Sequence, residues 1–356
     1  MSIWLRRRRA VGLPAVAALV TASAAPTAPA ANADSAGTKP LYAGLTERPM
    51  VRVLDASTAG VLYRTAHPDE GGASPTYVKP AGGTAFRVST AFSHLSGSML
   101  FTDIGGNGRI TYRTIGDTTT HSCVAAQGTE IVFLPTGWLY GDPQFPNMVY
   151  KKVTATASGC TTKTVTTIGN AELLAADATG FAVRTWSSSR PDSLKYVAFA
   201  APSSIKTLAS QVELFEAVSV SGNAVTWAGS GVYPHNSLKR VSTSGGVVQA
   251  VPTNYVIRRT AATAGATAFY GCPDYRELTT CVAGTVPAAG GAVSVLPATT
   301  GLAGDGSAFY FGRYGDQAAI DQGTSASGPL TRVVNVAKLP PVTYALSLGA
   351  SRAAYV

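Results

Sequence analysis

Beyond residue 45 the chain alternates short apolar, β-branched and aromatic runs with turns rich in Gly, Ser, Pro and Asp, and no eleven-residue window carries a helical apolar stripe. Alternation is clearest in Val218 to Trp227, in Leu238 to Val241 ahead of Ser242-Thr243-Ser244-Gly245-Gly246, and in Thr331 to Val336. That pattern predicts many short strands. A unit recurs: an apolar strand, a glycine, then a strand carrying an aromatic about five residues on. It starts at Gly180, Gly222, Gly265, Gly306 and Gly349, in steps of 42, 43, 41 and 43 residues. Third strands open at Leu194, Leu238, Leu278 and Leu330, and weaker fourth runs lie at 205–208, 247–251 and 292–296. Four strands every 40 to 45 residues is the arithmetic of a β-propeller blade.

The expected fold is therefore all-β, a β-propeller of seven four-stranded blades, with six and eight as alternative counts. Gly60 opens an earlier unit, and the 120 residues from Gly60 to Gly180 hold either two long blades or three short ones. Gly108 and Gly128 both fit the glycine position but lie too close together to start successive blades. The C-terminal piece, 342–356, holds two strands of a unit and stops, so the ring is expected to close by strand exchange with the start of the chain, around 41–54. A row of β-sandwiches is the rival, but its boundaries fall every hundred residues or so and no linker tract appears after residue 45. Over 45–356 these units resemble secreted bacterial WD40-like or TolB-like propellers. They lack the GH and WD dipeptides of WD40 blades, the paired glycines of kelch blades and the S-x-D-x-G-x-x-W box of sialidase-like blades. The resemblance implies a fold and no activity.

Residues 1–33 order themselves as an export signal: basic Arg6 to Arg9, an apolar stretch from Ala10 to about Ala25, and small residues at Ala31-Asn32-Ala33. The expected layout is signal peptide 1–33, a short flexible segment 34–41, and a propeller over 42–356, in a secreted protein. Arg6 to Arg9 also inflate the formal charge of +9; without them the excess is +5, no argument for a nucleic-acid or membrane partner. Export makes disulfides of the four cysteines. Cys272 and Cys281 can close a loop between adjacent strands, leaving Cys123 with Cys160; a zinc site would need C-x-x-C pairs or nearby histidines.

Chemistry is harder to find. No G-x-S-x-G occurs, and Ser203-x-x-Lys206 opens a strand, where alternation separates the two residues. His67, His94, His121 and His235 sit in loop-like contexts without metal-ligand spacing, and Asp103, Asn107 and Asp305 read as turn residues. No metal or cofactor is expected. Glu172 and Glu213 occupy parallel phrases in successive units and could face the central channel as an acid pair. Because Arg52, Arg258 and Arg259 fall in the corresponding neighbourhood of other units, a channel of mixed charge is the stronger expectation. Trp186, Trp227, Tyr270 and Phe311 recur once per blade and are expected in the core. Trp138 and Tyr140, in a turn-rich tract, and Tyr233 and Tyr314 are expected to form exposed ligand-binding platforms. Together these features predict a monomeric, non-catalytic binding module. It would recognise an extracellular protein, peptide or glycan through loops on one face, notably 137–148 and 312–329. The alternative is an extracellular polysaccharide lyase or glycoside hydrolase.

Overall fold

A computed structural model describes residues 50–335 apart from 67–74, 103–107, 126–129, 189, 212–214, 231–235, 275–279 and 315–317, together with 346–349 and 352–355. Seven antiparallel sheets follow one another along the chain, each of four consecutive strands. The first strand of each blade is innermost: Met50–Ser57, Phe92–Ser96, Ile131–Leu134, Ala171–Ala176, Glu216–Ser221, Val256–Ala262 and Thr299–Gly304 in blades one to seven. The outermost are Phe86–Val88, His121–Val124, Gly159–Gly169, Ile205–Gln211, Gln249–Pro252, Ser294–Leu296 and Thr331–Asn335.

Where a glycine heads the second strand, as at Gly60, Gly137 and Gly180, it has a steric cause. Gly137, at the head of the second strand of blade three, has φ +151°, and a Cβ there would run into the carbonyl oxygen of Val153 on the third strand. Gly60 meets Lys79 in the same way in blade one. Side chains are excluded wherever the backbone approaches this closely. Between Gly60 and Gly180 second strands begin at Met99 and Gly137, and Gly97 lies in the turn ahead of the first of these, so the interval holds three short repeats. Gly108 instead precedes the third strand of blade two, Arg109–Thr114, and Gly128 lies outside the described residues. The tract 137–148, expected as a loop, is mostly strand: Gly137–Gln144 and Asn147–Thr156 form a hairpin turning at Phe145-Pro146. Within 312–329, Ala319–Gly323 is the third strand of blade seven, so Leu330 leads into the fourth.

Among the described residues the buried apolar side chains form seven clusters, one at each junction between neighbouring blades. The junction of blades seven and one closes the ring. Val51, Val53 and Tyr63 pack there on Ala303, Tyr310 and Ile320, and Thr300 Oγ1 donates a hydrogen bond to Val51 O. Among the described residues this seam joins two complete blades, Met50–Ser57 pairing with the second strand of blade one and blade seven ending at Asn335, and the expected strand exchange between 342–356 and 41–54 falls largely outside them. Strands Leu346–Gly349 and Arg352–Tyr355 pair with each other in a separate compact unit. Residues 41–49 lie outside the described residues.

Both disulfides form as expected. Cys272–Cys281 joins the second strand of blade six to the approach to its third, wholly buried, whereas Cys123–Cys160 ties the outer strands of blades two and three together.

A further regularity sits on the inner strands. In six of the seven blades their pairing with the second strand slips, at Val53/Asp55, Phe92/His94, Leu173/Ala175, Glu216/Ser219, Ile257/Arg259 and Thr299/Gly301. Such bulges leave a residue unpaired and re-aim its neighbours. By this register Glu172 in blade four is equivalent to Arg52 in blade one, and Asp55 and His94 to Arg259.

Candidate functional site

The channel has two differently built ends. Where the inner strands end and turn, a cavity of about 490 Å³ is lined by six blades. Its carboxylates are mostly committed to the turns: Asp177 accepts from the N–H groups of Thr179 and Gly180, and Asp305 from those of Ser307 and Ala308. Asp55 accepts from the N–H groups of Ala56 and Leu95, with His94 Nδ1 3.9 Å away. Burial pushes the Asp55 carboxyl up, partly offset by His94. The His94 ring lies 4.5 Å from that of Phe133, which holds it in the wall.

At the opposite end, where the inner strands begin, charge is divided by side. Arg52, Arg258 and Arg259, from blades one and six, line a cavity of about 310 Å³ with Tyr270, Thr300 and Gly301. Glu130 and Glu172, from the start of blades three and four, line another of about 340 Å³ with Pro143, Met148 and Trp186. In a ring of seven, blades three and four stand across the channel from blades six, seven and one, so the expected mixed charge is present but segregated.

The two glutamates interact directly. Burial first, and then the charge of Glu172, push Glu130 up to about 7, and the Glu130 carboxyl shares a hydrogen bond with Glu172. A carboxyl that retains its proton near neutrality bridges its partner in place of repelling it. Glu172 is oriented from the other side by Arg184 Nη1 at 3.3 Å, and Arg184 reaches Asp192 at 2.6 Å. Beneath the pair, the Tyr150 hydroxyl is buried without a hydrogen-bond partner among the described residues, and desolvation together with both glutamates raises its pKa.

Above this pair the surface is aromatic. Trp186, one residue from the end of its strand, is 43% exposed with the Arg184 guanidinium 5.9 Å from its ring, and Phe145 at the neighbouring hairpin turn is 96% exposed. Backbone bonds join the two elements: Asn170 N–H donates to Pro146 O, and Trp186 N–H donates to Asn170 O.

These positions reverse the sequence expectation for two tryptophans. Trp138, expected as the exposed platform, is 0% exposed and packs among Phe101, Ile110, Tyr112 and Val153, because it follows the blade glycine directly and points into the junction of blades two and three. Trp186, expected in the core with Trp227, Tyr270 and Phe311, is at the rim, whereas those three are buried. Tyr140 is half-buried against the Trp138 cluster, so it too is no free platform. Tyr314 is half-buried, its N–H donating to Ala298 O. Tyr233, His67, His235, Asp103, Asn107 and Glu213 lie outside the described residues, and the carboxylate that meets Glu172 is Glu130. Of the sequence signals only the repeat register could have found Glu130, since it stands just ahead of the short inner strand of blade three.

No family model matches the chain, and no curated protein matches it significantly. Solved structures do. The β-propeller domain of the Trilobed protease from Pyrococcus furiosus, described as having an open velcro topology, superimposes with a TM-score of 0.55 at 9% identity, over 82% of this chain and 100% of that one. Pyrococcus horikoshii acylaminoacyl peptidase gives 0.53 at 9% identity over 85% of this chain; this chain spans 56% of its length. TolB from Acinetobacter baumannii matches at 0.44 and 11% identity, over 69% of this chain and 64% of that one. Identities this low show the fold alone, and that fold is a seven-bladed β-propeller similar to the propeller domain of the Trilobed protease.

Proposed function

We propose that the chain is a non-catalytic binding module, acting in a non-reducing compartment, that captures a protein or peptide segment at the rim between blades three and four. The observation that carries this reading is the pairing of exposed Trp186 and Phe145 with the Glu130–Glu172 pocket. Large exposed rings are costly unless covered by a partner, and a rigid indole gives contact area at little ordering cost. A carboxyl pair beside an aromatic wall suits a cation, so the segment carries a Lys or Arg next to an apolar residue. Two disulfides fit the compartment.

Selection from a random peptide library is the test. Enriched peptides should place a basic residue beside an aliphatic or aromatic one, and Trp186→Ala should weaken their binding by about ten-fold or more. Peptides without basic residues, or equal binding by the variant, would discard the reading.

A second reading rests on Glu130 alone. A carboxyl that keeps its proton near neutrality is suited to the general-acid role in glycoside hydrolysis, so an extracellular propeller hydrolase is the alternative, with the pair opening around the substrate to the wider spacing that reaction uses. Turnover of a polysaccharide by the wild type that Glu130→Gln abolishes would establish it.

A further inference from the structure

Across the channel from that pocket, and independently of it, we infer that Arg52, Arg258 and Arg259 form an oxyanion subsite in the channel wall. Three guanidinium groups from two inner strands line one cavity of about 310 Å³, and the intervening blade seven offers only Thr300 and Gly301 to fill the space between them. Their convergence follows from the bulge in blade six. The slip at Ile257/Arg259 inserts Arg258 as an extra residue in the inner strand, so two consecutive arginines reach the channel wall where regular alternation would send one away. All three side chains are solvent-accessible within the channel.

The cluster is preorganised. Arg259 Nη1 donates to Leu54 O at 2.9 Å and to Leu302 O at 3.4 Å, which fixes the guanidinium plane by its bonds to blades one and seven. These bonds use one nitrogen of a five-donor fork, leaving the remainder to face the cavity. Arg52 makes no hydrogen bond or ion pair with the described residues. The charges also disfavour one another. Desolvation is the main cause that lowers the pKa of Arg259, Arg52 lowers it further, and Asp55 acts in the opposite sense. All three arginines favour ionisation of the Tyr270 phenol, although its burial prevails. An oxyanion relieves that repulsion and offers acceptors in the planar, bidentate geometry that guanidinium groups match. The chemistry fits a carboxylate or a phosphate equally, so the ligand class is the oxyanion and the source is left to the experiment.

Isothermal titration of the full-length protein at low ionic strength tests this with three probes: inorganic phosphate, a short peptide with a free C-terminal carboxylate, and the same peptide amidated. The expected result is one saturable site for phosphate or for the free-acid peptide, with the amidated peptide silent. Phosphate alone identifies a phosphate site; the free-acid peptide identifies a chain terminus. Arg52→Gln, at a side chain without fold-stabilising bonds, should weaken binding by about ten-fold, the cost of one charge-assisted contact. Arg52→Glu, which reverses the charge, should abolish it while melting stays within a degree or two of wild type, about the size of a surface change. Trp186→Ala should leave it unchanged, which separates this site from the rim pocket. No saturable binding by any probe, or equal binding by Arg52→Gln, overturns the inference.

Discussion

Replacing Trp138 by alanine separates the core from the binding surface. The side chain is wholly buried between blades two and three, edge-on to Phe101 with ring centroids 6.5 Å apart. A tryptophan buries about 150–250 Å², which at about 25 cal/mol per Å² is roughly 4–6 kcal/mol of apolar burial. Unfolded chains already bury part of that area, so about 4 kcal/mol is the figure to expect, within the range for Trp→Ala substitutions. For a chain of this size the melting point moves about 2 °C per kcal/mol, a fall of roughly 8 °C. Trp186→Ala removes a rim side chain and should shift stability by less than about 0.5 kcal/mol, or about 1 °C. Scanning calorimetry of both variants with disulfides intact reads the contrast. A third variant sharpens it: Trp138→Phe keeps most of the packing and deletes the buried indole N–H, which has no hydrogen-bond partner among the described residues, so it should cost far less than alanine. A Trp138→Ala protein that melts within about 2 °C of wild type, or a Trp186→Ala protein that falls as far, would refute the assignment of the two rings.

The disulfides should differ in worth. Replacing Cys123 and Cys160 by Ala opens a loop with a separation of 37 residues against 9 for Cys272 and Cys281, and chain entropy then predicts losses of about 4 and about 3 kcal/mol; denaturation midpoints that rank the other way would show that native-state packing decides. Glu130 gives a pH dependence of definite sign. Its folded pKa, about 7, lies above the unfolded value near 4.5, so the native state binds more protons between those limits and stability falls as pH rises through that window, then levels off. Glu130→Gln should flatten the slope, and an unchanged slope in urea titrations from pH 4 to pH 8 would remove Glu130 as its origin. Arg240 Nη1 donates to Ala266 O and Thr267 Oγ1, and Nη2 to Thr263 O, tying blade five to the turn of blade six. Arg240→Ala should cost about 1.5–3 kcal/mol in urea unfolding, and Arg240→Lys should recover only part of it because an ammonium lacks the fork; full recovery would mean that charge alone matters.

The blade period was legible because each blade carries a glycine in the turn before its second strand or at that strand's head, and at Gly60, Gly137 and Gly180 a close approach of the third strand requires it. That blades one and seven are each complete was not legible. Two C-terminal strands read as half a blade, yet nothing in a one-dimensional pattern says whether residues 50–57 already have three partners of their own. The tryptophans were misjudged because local turn residues were weighed above distance from the blade glycine. Trp138 follows its glycine at once and enters a junction, while Trp186 lies six residues on and emerges at the rim. The arginine cluster and the Glu130–Glu172 contact depend on register slips and on which inner strands are neighbours, and both are tertiary facts. Segment composition did foretell a channel of mixed charge, since Arg52 and Glu172 occupy equivalent positions in different blades.

The junction between the first and last blades is built as the other six are, from apposed apolar side chains with a few polar ties. Among the described residues this seam is equivalent in kind to the six others. Blade number in such an architecture is set by how each wedge tilts on the next. A gene that gains or loses one unit of about forty residues keeps seams of the same kind throughout, while the charged positions on the inner strands remain free to change the chemistry of the channel.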